Sequence, residues 1–586
     1  MKSRYLALLV LPAMLLSSCG LFPTTQTYER EIAVYDLDDL DENGNLSSGY
    51  QTTLKARSIG GREYIPYLTL EQYASLYEKH FANDVTSTFE KAGYQISWLV
   101  SKGDKPYFQA IIDYAARRIV FGGDLEATYA SGDDKTDLKA LNYGLKTEAD
   151  GDYLSENTTT QFSYNGYNIS TFTFEREFYF PLGLLDIAFS NNSGIYFTYN
   201  YAHIMSTRDV DKYESFIYTD YGVEYTFDSQ MMANRKHTMI PSYLIDYNAS
   251  LFLFLMDNLY GLKDYYGISS MASYYKKNGI YNDLYSIYGS ERGQAYLDAL
   301  SILDDNHTAL VSVNATWGED ELYGLRYGTS VINRSRLRTE LRNRRESAYG
   351  SKKATKDILY SQDGKTAMIA FDSFSFGSED QVFNADGTIK ETAGDYDTYF
   401  KILDVLKTIE RKGNVENVVL DVSVNGGGVL GVMMKLLALI SKNNSSDLCF
   451  YDDTTTFLTS YVSHVDIDGD EEYDASDCFG NIFNFYILTS DCSFSCANAF
   501  PCIAQLLGDA KIIGQKSGGG ECIVAVHYLP NSEYVYHSSN LHLGSYDVSN
   551  NKFNGFESGA KPDITLAIND SFYSIEAINN AIKNAN

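Results

Sequence analysis

The chain has 586 residues, too many for one ordinary hydrophobic core, so about two to four domains are expected. Hydrophobic residues make up 44% of the sequence, which indicates a globular protein and excludes a disordered one. The formal net charge of −30 repels phosphate backbones, so nucleic acid is not an expected partner.

The N-terminus has the features of an export signal. Lys2 and Arg4 precede an apolar run that is too short for a permanent membrane-spanning helix. The sequence LSSC, which ends at Cys19, then resembles a bacterial lipobox, and this implies cleavage before Cys19 and a lipid on its thiol. A plain secretory signal with an incidental cysteine is the alternative. We therefore expect residues 1–19 to be a lipoprotein signal peptide, and the mature chain to lie in the cell envelope outside the cytoplasm, with the lipid as its only membrane contact.

The next three segments differ in composition. Residues 20–60 are polar and include an acidic run, which favours a tether. Residues 61–130 combine strand patterns with an amphipathic helix and indicate a small α+β module. Residues 131–235 alternate apolar and polar side chains, which is typical of a β-rich region.

The second half predicts a different architecture. Residues 236–350 carry apolar side chains three to four positions apart, which indicates a helical segment. In residues 351–586 strand-like and helix-like runs alternate, with buried strands expected at 414–424, 483–491 and 510–515. Such alternation implies a largely parallel sheet covered on both faces. The expected fold class is thus an α+β multidomain protein in which β-rich domains and a helical segment precede a C-terminal α/β core.

The other six cysteines fall within the C-terminal region, from Cys449 to Cys522. Export permits disulfides, but the sequence does not choose among the possible pairings. None of the spacings is C-x-x-C, so a zinc site is not expected. The run DIDGDEEYD (466–474) resembles the start of a calcium loop, but Glu471 stands where a glycine is required, which favours a solvated acidic loop. No metal or cofactor is expected.

A glycine turn follows the strand at 414–424. Three consecutive glycines, Gly426 to Gly428, precede a helix-like run, so the backbone there can adopt unusual dihedral angles and approach a ligand closely. N–H groups at a helix start form an anion site, as an oxyanion hole requires. A phosphate loop is excluded because no Lys-Ser/Thr pair follows the glycines. The alternative is a tight packing turn.

Ser495 lies at a second strand-to-helix corner, in the sequence DCSFSCANAF (491–500). Such a corner exposes a hydroxyl at the carboxyl edge of a sheet, and the N–H of the next residue, Cys496, can serve as an oxyanion donor. The pattern is not G-x-S-x-G, so an α/β-hydrolase is not indicated. Taken alone, a serine at this position is more often a helix N-cap.

Four motifs in this order resemble the core of the C-terminal-processing and tricorn-like serine peptidases. They are the strand and glycine turn with Asp421, Asn425, Gly427 and Gly428, the segment SFSCAN (493–498), the glycine-rich run IIGQKSGG (512–519), and GAKPDI (559–564). The resemblance covers about 365–570. It implies a crotonase-like spiral core and hydrolysis of peptide bonds with Ser495 as nucleophile.

The family has two ways to activate its serine. Where one branch has a lysine, this chain has Gly520, and Lys516 lies nearby but out of register. The tricorn-like branch uses a histidine in a D-x-H-T segment, which LDDNHTALVSV (303–313) matches at His307. Glu557, near the closing motif, would then orient the imidazole. Without the resemblance, His307 reads as an exposed residue at a helix end and Glu557 as a surface carboxylate.

The sequence therefore predicts a serine endopeptidase that acts on a peptide or protein. His307 is its base, Glu557 its third residue, and the N–H groups of Gly427 or Gly428 and of Cys496 its oxyanion hole. Two departures from the family favour an inactive, peptidase-like surface lipoprotein that only binds. The lysine is missing, and roughly 57 residues between His307 and Lys365 leave no room for a PDZ domain. Oligomeric state is not predicted.

Overall fold

The computed structural model describes the chain in thirteen ranges, and all structural statements refer to them. These are residues 26–36, 51–78, 85–102, 105–123, 145–153, 160–190, 196–199, 204–207, 240–312, 328–454, 456–470, 472–530 and 534–585. Within these ranges no helix is both long and apolar enough to cross a bilayer. The predicted signal segment and Cys19 lie outside the described residues.

Twelve α-helices lie in these ranges. They are α1 (Leu70–Glu78), α2 (Leu182–Ser190), α3 (Ser242–Leu259), α4 (Met271–Lys277), α5 (Gly289–Ser301), α6 (Thr329–Tyr349), α7 (Glu379–Val382), α8 (Ala393–Tyr396), α9 (Thr398–Lys412), α10 (Leu430–Ile440), α11 (Cys496–Leu507) and α12 (Ile575–Ala585).

The described strands form four sheets. In the N-terminal half they are β1 (Thr27–Asp36), β2 (Gln51–Ile59), β3 (Arg62–Leu68), β4 (Val85–Ala92), β5 (Gln95–Lys102), β6 (Lys105–Asp113), β7 (Arg118–Gly123), β8 (Leu145–Tyr153), β9 (Thr160–Ser163), β10 (Phe172–Phe174), β11 (Glu177–Pro181), β12 (Tyr196–Tyr199) and β13 (Ile204–Thr207). In the C-terminal half they are β14 (Ala309–Ser312), β15 (Leu359–Tyr360), β16 (Thr366–Ala370), β17 (Asn417–Asp421), β18 (Ser446–Asp452), β19 (Phe457–Val465), β20 (Asn484–Thr489), β21 (Ala510–Gly514), β22 (Cys522–Tyr528), β23 (Tyr534–Asp547), β24 (Lys552–Gly555) and β25 (Ile564–Thr565).

The N-terminal strands build two sheets. One has seven strands in the order β10-β11-β3-β2-β1-β13-β12, and the other has five in the order β4-β5-β6-β7-β9. Residues 27–36 and 51–59, which the sequence assigned to a tether, are paired antiparallel strands of the first sheet. The physical reason is the alternation within them, which buries Ile32, Val34 and Ala56 in the N-terminal core.

The sheet that positions the site has six strands in the order β15-β16-β17-β20-β21-β25. All pairs are parallel except β15 with β16. Successive side chains alternate between two cores, since Val418 and Leu420 pack on one face and Val419 on the other. The expectation of a largely parallel, covered sheet in a mixed α/β chain is confirmed, while the crotonase-like spiral remains a prediction.

A second seven-stranded sheet joins distant parts of the chain. Its path is β14-β23-β18-β19-β8, and β22 and β24 also pair with β23. The strand β14 begins two residues after His307 and pairs with β23, Ala309 facing Tyr536. This pairing fixes the histidine segment against the C-terminal region. The six cysteines of the described chain are all free thiols, from Cys449 to Cys522.

Candidate active site

The site lies at the carboxyl edge of the six-stranded sheet. The strands β17 and β20 are parallel neighbours, with Leu420 facing Ile487. The glycine turn leaves β17 and the serine corner leaves β20, so the two loops emerge side by side. Crevices at the carboxyl ends of parallel strands are the usual ligand sites of such sheets.

Ser495 has an unusual backbone conformation. Its φ of 58° and ψ of −128° are rare for a residue with a side chain. The corner is held by its neighbours, because the Ser495 N–H donates to the carbonyl of Gly519 at 3.0 Å and the Ser495 carbonyl accepts from Asn498 and Ala499 of α11. The hydroxyl makes no capping hydrogen bond, although Ser495 precedes the helix. Strain that persists in a well-held loop points to a functional residue, and the N-cap interpretation is not what the geometry shows.

The glycine turn approaches Ser495 closely. Gly427 has φ +114°, and a Cβ added there would lie 2.8 Å from Ser495 Cβ. Gly428 has φ +142°, and a Cβ there would lie 2.5 Å from the Phe374 carbonyl oxygen. Both positions therefore require glycine, for the dihedral angle and for the space.

Two amide groups beside Ser495 have no partner among the described residues. The N–H of Gly427 donates to Asn425 Oδ1 at 2.8 Å, whereas no hydrogen bond is recorded for the N–H of Gly428 or of Cys496 within the described ranges. The Cys496 thiol donates to the Gly428 carbonyl at 3.1 Å and so ties the two together. Of the two glycine amides that the sequence offered for an oxyanion hole, that of Gly428 is the one left to bind a ligand.

His307 lies in the turn between α5 and β14. Asp305 holds the turn, since its Oδ1 accepts from the His307 N–H at 2.9 Å and its Oδ2 accepts from the Thr308 and Ser538 hydroxyls at 2.6 and 2.7 Å. The imidazole packs edge-on against Phe494, with 4.7 Å between ring centroids. His307 thus packs against the residue that precedes Ser495, and the described structure has no hydrogen bond between His307 and Ser495.

The electrostatic state of His307 suits a base. Burial lowers the pKa of its imidazole, opposed by the carboxylate of Asp305 and by a hydrogen bond to the Cys522 backbone. The ring is therefore neutral at neutral pH. Its Nδ1 is buried and has no hydrogen-bond partner among the described residues, and such an orphaned atom needs an explanation.

Glu557 has other partners than the sequence predicted. Its Oε2 accepts the N–H groups of Gly520 and Glu521, both at 2.9 Å. Burial raises the pKa of its carboxyl group. Glu557 thus braces the turn whose Gly519 carbonyl holds Ser495, and no hydrogen bond to His307 is recorded in the described ranges.

The lysine alternative has no support in the geometry. Gly520 has φ +90°, and a Cβ there would lie 2.6 Å from Phe494 Cζ, so a side chain does not fit unless the ring moves. Lys516 is exposed. The remaining motif residues are structural. Asp421 lies 3.5 Å from a buried arginine, Arg345, and Asn498 accepts from Ser517 and donates to the Phe556 carbonyl.

The helix α6 falls within the helical segment predicted at 236–350, but sequence reasoning gave it no role at the site. Asp304 holds its start by accepting the Ser330 N–H and hydroxyl, at 2.8 and 2.6 Å. A cleft of about 670 Å³ is lined by Asn306, His307, Arg334, Arg338, Gly426 and Phe494, among others. The signal in the sequence was an arginine every fourth residue, at 334, 338 and 342, which places the three on one helix face.

Two groups of three side chains in the described chain have ligand atoms close enough together to share a cation. Asp466, Asp468 and Asp470 lie together at the expected acidic loop, where Asp466 and Asp468 accept backbone N–H groups. Glu521, Cys522 and His542 form a buried cluster. His542 Nδ1 lies 2.9 Å from a Glu521 carboxylate oxygen, and His542 Nε2 lies 3.0 Å from Asp453, which is outside the cluster. A protonated imidazole pairs with both carboxylates, so this arrangement does not require a metal ion.

Comparison with solved structures gives partial likenesses at low identity. A protein from Parabacteroides merdae is 19% identical, over 53% of this chain and 88% of that one, with a TM-score of 0.38. Mature CPAF complexed with lactacystin is 12% identical, over 61% and 98%, with a TM-score of 0.37. The photosystem II D1 C-terminal processing protease is 14% identical, over 37% of this chain and half of that one, with a TM-score of 0.27. None of the curated proteins compared with the chain matches it.

Comparison with protein families gives one assignment, which agrees with the four ordered motifs. Residues 365–566 match the model of peptidase family S41. This range contains five of the six strands of the sheet at the site, all but β15, together with the glycine turn and the serine corner. Through this segment the chain is similar to peptidase family S41, the C-terminal-processing and tricorn-like peptidases that its motifs predicted.

Proposed function

We propose that the chain is an exported, lipid-anchored serine endopeptidase that hydrolyses peptide bonds through an acyl-enzyme at Ser495. The observation that carries the proposal is the strained conformation of Ser495, with its φ of 58°, beside the unpartnered amides of Gly428 and Cys496. The similarity of the segment to peptidase family S41 supports a serine peptidase.

In the proposed mechanism His307 is the general base. A movement of its side chain that brings a ring nitrogen to the Ser495 hydroxyl lets His307 take that proton as Oγ attacks the substrate carbonyl. Burial lowers the pKa of His307, so the imidazole is free to accept that proton at neutral pH. The same proton then passes to the leaving amine, and water releases the acyl group by the reverse sequence.

The oxyanion would be stabilised by the N–H groups of Gly428 and Cys496. Preorganised donors at the developing charge are the largest single contribution in many acyl-transfer enzymes. The hydrogen bond from the Cys496 thiol to Gly428 keeps the two amides in register. We propose Glu557 as the third residue in the sense that it holds the 519–521 turn against Ser495, and its action on the imidazole itself remains a prediction.

The test is covalent labelling with a fluorophosphonate probe. Wild-type protein should label, Ser495→Ala should not, and Ser549→Ala, in an exposed turn, should label as wild type does. Thermal melting establishes that each variant is folded. Absence of labelling in folded wild-type protein would refute the peptidase and favour the alternative, a surface lipoprotein that uses an inactive core for binding.

A further inference from the structure

The helix α6 presents a row of arginines to the cleft beside Ser495. Arg334, Arg338 and Arg342 are four residues apart and so lie on one face. Two cavities meet at this face, of about 670 and about 310 Å³, and both are lined by Arg338 and Gly426. The smaller cavity is also lined by Gly427 and Gly428. Arg338 and Arg342 both line this smaller cavity, and Arg338 also lines the larger one.

The outer two arginines already have partners. Arg334 donates to the Gly518 carbonyl at 3.0 Å and lies 3.3 Å from Asp491. Its guanidinium also lies 4.8 Å from the Phe494 ring centroid. Arg342 lies 3.7 Å from Asp372. These contacts account for the two side chains as parts of the wall of the cleft.

Arg338 has neither a hydrogen bond nor an ion pair within the described ranges. Its Nε is buried without a partner, and one terminal nitrogen comes within 3.1 Å of the Cβ position at Gly426. A guanidinium that loses water without gaining an acceptor is costly, and the cost is recovered when an anion binds.

We propose that Arg338 binds a carboxylate of the peptide substrate close to the scissile bond, and this rests on the proposed function. Its place beside Gly426, one residue before the proposed oxyanion turn, puts the ligand within a residue or two of the reacting carbonyl. A planar guanidinium pairs with a carboxylate through two parallel hydrogen bonds, which gives orientation as well as affinity. The substrate class is thus a peptide that carries a carboxylate next to the cleavage site.

The carboxylate can come from an Asp or Glu side chain or from the free C-terminus of the substrate. Both sources offer Arg338 the same two oxygens. The two sources can be distinguished, because replacing Asp by Asn removes the side-chain carboxylate and amidation removes the C-terminal carboxylate.

The experiment measures binding without hydrolysis. Ser495→Ala protein is titrated with fluorescein-labelled pools of short random peptides, which carry Asp or Asn at one fixed position and a free or amidated C-terminus. We expect one carboxylate form to bind at least about tenfold more tightly than its neutral counterpart, with the preference weakening as salt is added. Loss with Asn identifies a side chain as the source, and loss on amidation identifies the C-terminus.

The variants decide whether Arg338 is responsible. In the Ser495→Ala background, Arg338→Met should abolish the preference and Arg338→Lys should restore only part of it, since a lysine keeps the charge without the fork. The matched control is Arg344→Met, on the same helix but paired with Glu340 and Asp570, and it should keep the preference. Thermal melting checks that each variant is folded.

Lack of any carboxylate preference, or a preference that survives Arg338→Met, overturns the proposal. The assay does not use the hydroxyl of Ser495. Failure of the probe labelling described above would therefore count against the peptidase and leave the binding result standing, and the reverse outcome would count against Arg338 alone.

Discussion

Replacement of Gly427 by alanine tests whether the turn at Ser495 is a reactive serine corner or an ordinary turn. The added Cβ would lie 2.8 Å from Ser495 Cβ and 3.1 Å from Ser495 Oγ. Carbon atoms in contact are about 3.5–4.0 Å apart, so Ser495 or the turn must move by about 0.7 Å. Alanine at φ +114° also carries backbone strain, on the order of 1–3 kcal/mol.

The two effects can be measured separately. A misplacement of about 1 Å at a reacting group costs on the order of 10²-fold in rate, so we expect Gly427→Ala to slow fluorophosphonate labelling of Ser495 by about that factor. Gly387→Ala is the matched control, because Gly387 has φ +82° but no atom within 4 Å of its Cβ position. It should lose a similar free energy of unfolding in urea and keep its labelling rate.

The reasoning is refuted if Gly427→Ala labels as fast as wild type, since Ser495 would then tolerate the displacement and the glycine turn would be structural only. Equal loss of labelling in both variants would also refute it, because backbone strain alone would then explain the effect.

Three further predictions follow from the same residues. His307→Ala should abolish peptide hydrolysis, while Lys516→Ala should keep most of it. Because burial lowers the pKa of His307, wild-type activity should persist to a pH below the usual histidine pKa of about 6.5. An inactive Lys516→Ala variant together with an active His307→Ala variant would reverse the assignment. Ring nitrogens of the buried His527 and His537 lie 3.0 Å apart, and burial lowers the pKa of His537 to about 4. As the pH falls, the unfolded chain therefore takes up a proton before the folded chain does, and the free energy of unfolding should decrease between about pH 6.5 and pH 4, by on the order of 3 kcal/mol for His537 alone. If the pH dependence of urea unfolding is unchanged in His537→Asn, this prediction is wrong. Cys19→Ala should move the protein from the membrane to the soluble fraction, and continued membrane association of that variant would exclude the lipid anchor.

The C-terminal architecture could be predicted from the sequence because continuous apolar runs and glycine turns are local features of the chain. The apolar runs that became β17, β20 and β21 are continuous, as strands buried on both faces must be. The turn at Gly427 and Gly428 could also be predicted, because a positive φ and the close approach of neighbouring atoms leave few residues other than glycine possible there. The four motifs kept their order, and the family match at 365–566 confirms the resemblance.

The partners of charged side chains could not be predicted from local sequence. Arg334 and Asp491 are 157 residues apart, and Arg344 and Asp570 are 226 residues apart. Glu557 similarly reaches the amides of the 520–521 turn, a contact that sequence order did not suggest. The arginines of α6 lie in a segment that the sequence predicted to be helical, but a helical pattern says nothing about what the arginines face.

The strands β1 and β2 illustrate the same limit in the N-terminal half. Their charged side chains and the acidic run between them suggested a tether, yet Ile32 and Val34 are almost fully buried. A few alternating apolar residues become a strand only when a neighbouring strand is available to pair with them, and that neighbour is decided by the whole sheet.

By itself, then, the sequence determined the family resemblance of residues 365–566, the parallel sheet within it, and which serine and glycines stand at its carboxyl edge. Backbone dihedral preferences and the burial of continuous apolar runs are local properties, so they can be predicted from the sequence. Only the tertiary structure decided that His307 packs on Phe494, that Glu557 braces the serine turn, and that Arg338 faces the glycine loop without a partner. Contacts between side chains distant in sequence depend on how sheets and helices pack, because each charged or aromatic group takes the partner that folding brings within a few ångströms.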